Sequence, residues 1–198
     1  MKNNLTLEFT MAVVLDDSFG QQQKDLFRKV AKADYIGNEI NPNTDVDLFK
    51  KNTDVDITTS ASGRTLLHVA VIAGNVDNVK ILMAKWKERL LLMQDKHGDT
   101  ALSLVAHYTG NTDMAKCMVE TKHGSGEKLL EIQNKENIIP ILMAAANGHK
   151  ELTTYLYSKT DLNKFFEGDD PKNRILLLSL CITAEIFGKQ IYGTNLSV

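Results

Sequence analysis

The sequence predicts an all-α solenoid, a row of stacked helix-turn-helix units with short turn fingers, and three observations predict it. The phrase GRTLLHVAVIAGNVDNVKILM from Gly63 returns as GDTALSLVAHYTGNTDMAKCMV from Gly98, and then as NIIPILMAAANGHKELTTYLY from Asn137. The spacings are 35 and 39 residues, and a period in that range decides an architecture by itself. Within a copy, apolar residues recur at helical spacing, as at Val79, Leu82 and Met83. A glycine divides each copy in two, at Gly74, Gly110 and Gly148, where a C-terminal cap is expected. A hairpin of two short helices cannot bury its apolar face alone, so the copies must stack and share a core.

Taken in order, residues 1–23 read as a disordered tail and 24–198 as the repeat domain. Glu8 interrupts the one apolar stretch near the start and Asp16 and Asp17 follow, so no signal peptide is expected. Leu26, Phe27, Val30, Ala31 and Ala33 give residues 24–56 the helical spacing of a degenerate first unit, followed by a loop or distorted helix from Gly37. The readable copies span about 57–92, 93–131 and 132–165. Each opens on a Gly or Asn turn, and its first helix carries small residues that allow close stacking: Ala70, Ala106, Ala144 and Ala145. The second copy has 12 residues from Gly98 to Gly110 where the others have 11, so its inter-helix turn is expected to be longer. The polar stretch from Lys122 to Lys128 reads as a flexible loop. Asn173 falls 36 residues beyond Asn137, in register for a degenerate last unit over about 170–198. The apolar run from Ile175 to Gly188 contains Glu185 and is shorter than the roughly 20 residues a membrane helix needs.

These units resemble ankyrin repeats, whose pattern is G-x-T-P-L-H-x-A followed by a glycine and a second helix. Gly63, Thr65, Leu67, His68 and Ala70 match it, with Leu66 in place of the proline; Gly98, Thr100 and Leu102 match in the second copy. The third keeps Pro140, Ala144, Ala145, Gly148 and His149, with Asn137 in place of the opening glycine. The phrases LLHVAVIAGN, DKHGDTALSLVAHYTGNTDMAKCMVE and AAANGHKELTTYLYSKTD are also similar to a group of plant ankyrin proteins that often end in a PGG membrane domain. That resemblance implies a protein-binding scaffold, and the repeat spacing gives about five units, three clear and two degenerate. It also implies defence or stress signalling at the cytoplasmic face of a membrane.

Composition excludes the other broad classes. The chain is 43% apolar and 24% charged with 3 prolines, as in ordinary soluble proteins. With 23 basic against 25 acidic residues, it has no global field for nucleic acid or an anionic membrane. Cys117 and Cys181 read as reduced, buried thiols of a cytoplasmic protein. His97, His107, Cys117 and His123 fit no zinc-ligand spacing, and Gly124 to Lys128 lacks the full phosphate-loop pattern. Ser103 and His107 lie four residues apart, but no third catalytic group can be placed beside them. No enzyme activity, metal or cofactor is expected.

What remains is a protein-binding groove along the first helices and turn tips, as in proteins of the resembled type. By register it takes Arg64, Val69, Ile72 and Ala73 from the first copy, and Asp99, Leu104, His107 and Tyr108 from the second. Ile138, Met143, Ala146 and Asn147 come from the third. Tyr108, His107 and Met143 are the favoured anchors, because aromatic and flexible apolar side chains dominate interface centres. Trp86, within the charged run Lys85 to Arg89, is a further aromatic that could hold a partner. Self-association through Ile182, Ile186, Phe187 and Ile191 is the other expectation.

Overall fold

The computed structural model describes residues 62–121 and 125–161, together with 175, 178 and 179; along 85–89 it describes the backbone. The expected tail over 1–23, the unit at 24–56, the side chain of Trp86, His123, Cys181 and most of the last unit lie outside the described residues.

The described elements are helical and alternate as expected. The first copy holds α1 (Leu66–Ile72) and α2 (Val76–Leu91). The second holds α3 (Ala101–Leu104), which runs on into a π-helical turn at Val105–Thr109, then α4 (Thr112–Val119) and the short α5 (Ser125–Lys128). The third holds α6 (Pro140–Ala146) and α7 (Lys150–Lys159). First helices pack on first helices and second on second, α1 against α3, the π turn against α6, α2 against α4 and α4 against α7. Two layers result, with a continuous core between them from Leu66 to Leu156.

Small residues make this stacking possible. Ala70, Ala106 and Ala144 are fully buried where helices meet, while Leu66, Leu67, Leu82, Leu102 and Met118 fill the space around them. Each such large side chain contributes about 1.5–3 kcal/mol of burial.

Capping follows the sequence and weakens along the chain. The Thr65 hydroxyl accepts from the His68 amide and Thr100 accepts from that of Ser103, whereas Ile139, ahead of Pro140, has no side-chain cap. The second helices begin on Asn75 and Asn111, whose side-chain oxygens accept from the Asn78 and Met114 amides.

Between copies the chain forms fingers. The Asp95 amide donates to the Asp99 carbonyl and the Asn134 amide to the Ile138 carbonyl, closing two equivalent turns. Adjacent fingers are joined through the main chain, Lys96 N–H to the Ser62 carbonyl and Lys135 N–H to that of His97, both at 3.0 Å. The opening position of each copy is left-handed, φ 66° at Gly63 and 80° at Gly98. Asn137, at φ 60°, adopts the same conformation, so the third copy keeps the turn with the residue that tolerates it best after glycine.

Two expectations are corrected here. The extra residue of the second copy does not lengthen the inter-helix turn; it is absorbed within the helix as the π turn, closed by Gly110 N–H to the Val105 carbonyl at 2.8 Å. The stretch expected as a flexible loop is helical from Ser125. Ser125 and Gly126 are buried, and the Gly126 amide donates to the Thr121 hydroxyl. A Cβ at Gly126 would meet the carbonyl oxygens of Met118 and Val119, so glycine is there for close approach and not for phosphate.

Candidate functional site

The residues proposed for the groove separate into two sets. Val69, Ile72, Leu104 and Met143 are 7% exposed or less. The register places them on the groove, but their side chains turn into the shared core between the two helix layers. Ala73, Asp99, Arg64 and Ile138 are half-buried. His107, Tyr108, Ala146 and Asn147 are exposed, and Tyr108, at 41%, is the large side chain that stands clear.

The π turn explains why. Three residues before the closing glycine, the first and third copies have Val71 and Ala145, both buried; the second has His107, which is exposed. One additional residue rotates this part of the helix so that a position packed inward elsewhere points outward. π turns of this kind interrupt α-helices frequently at functional sites. The turn is stabilised locally: the Thr109 hydroxyl donates to the Val105 carbonyl and accepts from the Asn111 amide. Gly110 closes it at φ 61°, with the His149 ring lying against the space a Cβ would need. His107 and Tyr108 meet edge to face, ring centres 4.4 Å apart.

Behind this surface runs a polar network that crosses between copies. Thr65 N–H donates to His68 Nδ1 at 3.0 Å, so Nδ1 is the unprotonated nitrogen. The Thr65 hydroxyl donates to the same atom, leaving Nε2–H to donate to the Asp99 carbonyl at 3.2 Å. Burial holds the imidazole neutral, its pKa lowered to about 4 against the opposing pull of Asp95 and the Asp99 carbonyl. Ser103, in the place of this histidine one copy on, bonds only to Thr100. It is fully buried while His107 is exposed, so the two do not form a catalytic pair.

Asp95 and Asn134 are the residues sequence reasoning missed. Asp95 Oδ1 accepts from the amides of His97 and Asp99, and Asn134 Oδ1 from those of Glu136 and Ile138. Each stands three residues before the left-handed position, a signal visible as Asp-x-x-Gly and Asn-x-x-Asn. Asp95 Oδ2 accepts from Arg64 Nε at 3.4 Å, and Asn134 Nδ2 donates to Asp99 Oδ1 at 3.0 Å. Gln94 adds bonds to the Gly98 and Gln133 carbonyls. Burial pushes the Asp99 carboxyl above its ordinary value, while Asn134 and, more weakly, His107 and His97 pull it down.

On the opposite layer, Tyr155 donates to Glu120, which also pairs with Lys159 at 3.4 Å. Cys117 is half-buried and its thiol pushed up by burial. Among the described residues no group of three or more His, Cys, Asp or Glu is placed to hold a metal, and no helix is long and apolar enough to cross a membrane.

Comparison with known proteins gives three findings. Residues 39–125 match the family model described as ankyrin repeats, three copies. No curated protein matches the chain. Among solved structures, a chain from the crystal structure of the yeast ribosomal protein Rps3 in complex with its chaperone Yar1 is similar at 22% identity. The match covers 70% of this chain and 95% of that one, with a TM-score of 0.48.

Proposed function

From the ankyrin repeats that this chain carries, we infer that it is a non-catalytic protein-binding module whose contact surface is the exposed rim of the first helices around the second copy. The observation that carries this is the π turn, which displays His107 at a register the other copies bury, with exposed Tyr108 beside it. Rigid aromatic side chains on a fixed scaffold are what interface centres are built from. Half-buried Ala73 and exposed Ala146, at or beside the same register in the flanking copies, leave Tyr108 as a ridge between lower positions. The partner is a protein. A place at the cytoplasmic face of a membrane, in defence or stress signalling, follows from the sequence resemblance and belongs to the same proposal; imaging the tagged protein in cells tests it.

Replacing His107 and Tyr108 together with Ala is expected to abolish capture of a partner identified with the wild-type chain, while the helical signal and melting stay unchanged. Unchanged capture by the double variant overturns this surface. A second reading, self-association, is favoured by Ile175 and Leu178, which are 60% and 54% exposed. Light scattering across a concentration series decides it, a constant monomer mass counting against it.

A further inference from the structure

The first helical stretch of every copy closes on a left-handed glycine, but the residue ahead of that glycine differs. It is Ala73 in the first copy, Thr109 in the second and Asn147 in the third. Asn147-Gly148 is the single Asn-Gly pair in the chain. In such a pair the glycine nitrogen can attack the asparagine side-chain amide, since no Cβ on the glycine stands in the way. Asparagine counts among the thermolabile residues. Three features of the folded turn oppose the attack. Asn147 has ψ 3°, which turns the Gly148 nitrogen over the nitrogen of Asn147 itself and away from its side chain. The Gly148 amide donates to the Ala145 carbonyl at 3.1 Å. The Asn147 side chain is held by Nδ2, which donates to the Met143 carbonyl at 2.8 Å. Both residues are nonetheless exposed, and the space a Cβ would need at Gly148 is open, so water reaches the pair.

We propose that Asn147 is a self-modification site, gated by opening of the turn between α6 and α7 and needing only water as co-reactant. When the turn opens, the bond from Gly148 N to Asn147 Cγ forms and the Cγ–Nδ2 bond breaks. Ammonia leaves with the Gly148 amide proton, and a five-membered succinimide remains. Water then opens the ring: attack at Cγ gives aspartate, and attack at the main-chain carbonyl gives isoaspartate, with the chain rerouted through Cγ. Nothing is oxidised or reduced. Either product carries a negative charge at the end of α6, where the helix dipole is already negative, and has lost the donor to the Met143 carbonyl. The turn therefore recloses less well after the reaction than before it, and the change is one-way. With Ala73 and Thr109 at the equivalent places, it falls on the third hairpin alone among the three copies, on the rim beside exposed Ala146.

The test is incubation of the full chain at neutral pH, folded in buffer and unfolded in guanidinium chloride, followed by trypsin and mass spectrometry. The peptide 136–150 contains Asn147 and also Asn137, whose successor Ile138 is β-branched and hinders the same attack, so it carries its own reference. In the unfolded chain Asn147 is expected to convert about tenfold or more faster than Asn137, giving both aspartate and isoaspartate. In the folded chain its conversion is expected to slow by about tenfold or more. That slowing is expected to match the hydrogen-exchange protection of the Gly148 amide in the ¹⁵N-labelled chain, since one opening exposes both. Asn147→Asp is expected to melt below Asn147→Ala, which loses the same donor without adding charge. Equal rates in the folded and unfolded chain, or slowing unrelated to protection at Gly148, overturn the gate. Aspartate without isoaspartate overturns the cyclic route. An Asn147→Asp chain that melts no lower than Asn147→Ala overturns the effect on the turn, and conversion of Asn137 as fast as Asn147 in the unfolded chain removes the site altogether.

Discussion

His68 shows how one side chain can set the pH response of a whole stack. With its pKa lowered to about 4 on folding, the unfolded chain binds the extra proton between that value and the ordinary 6.5. The stabilisation is complete above pH 6.5 and is lost as pH falls toward 4, a span worth about 3 kcal/mol. Asp99, pushed up by burial, acts with the opposite sign at the acidic end and offsets part of that loss. Urea unfolding at pH 4.5 and 7 is expected to show the drop, and His68→Gln to flatten it while costing about 1–3 kcal/mol at pH 7 through its lost bonds. Asn137 makes a second residue-level test. Since it is left-handed, Asn137→Ala is expected to be about 1–2 kcal/mol less stable than Asn137→Gly, read from paired thermal melts.

At the scale of the element, the π turn is where sequence and structure diverge most usefully. The additional residue between Gly98 and Gly110 was legible as a count, and its consequence was not. A spare residue can widen a loop or be taken into a helix, and the choice depends on how firmly both ends are held. Here both are: Thr100 and Ser103 hold the start, and Gly110 packed against His149 holds the end. Deleting His107 restores the 11-residue spacing of the other copies. It is expected to convert the turn to α-helix with a melting temperature equal to or above wild type, and to abolish partner binding. Gly110→Ala is expected to cost about 2 kcal/mol or more, from left-handed strain and the collision with the His149 ring. Combining it with His149→Ala should recover the collision and leave the strain, a non-additivity that a double-mutant cycle reads directly.

On the scale of the whole molecule, much was visible in the sequence, because every copy repeats the same physical solution. The closing glycines, the small residues at Ala70, Ala106 and Ala144, and the Asn caps each recur at a fixed offset. The groove was less legible. Register alone assigns Val69, Leu104 and Met143 to a surface, while burial in the stack depends on which neighbour covers each helix, and that is a property of three copies together. The finger-to-finger bonds carry a further consequence. Two of them, Lys96 to Ser62 and Lys135 to His97, join main-chain atoms and do not depend on the side chains of Lys96 and Lys135, while Arg64–Asp95, Asn134–Asp99 and His68–Asp99 tie the same copies through side chains. Sequence drift can therefore rewrite the exposed tip positions Lys96 and Lys135, and so their charge, provided that Asp95, Asp99 and Asn134 stay. The same joint holds copies offset by 35 and by 39 residues, with the surplus stowed around Ser125–Lys128 at the far end of α4. The protein is thus free to change what its tips touch, and how much chain it spends between contacts, on a spine held by backbone bonds and a few fixed side chains.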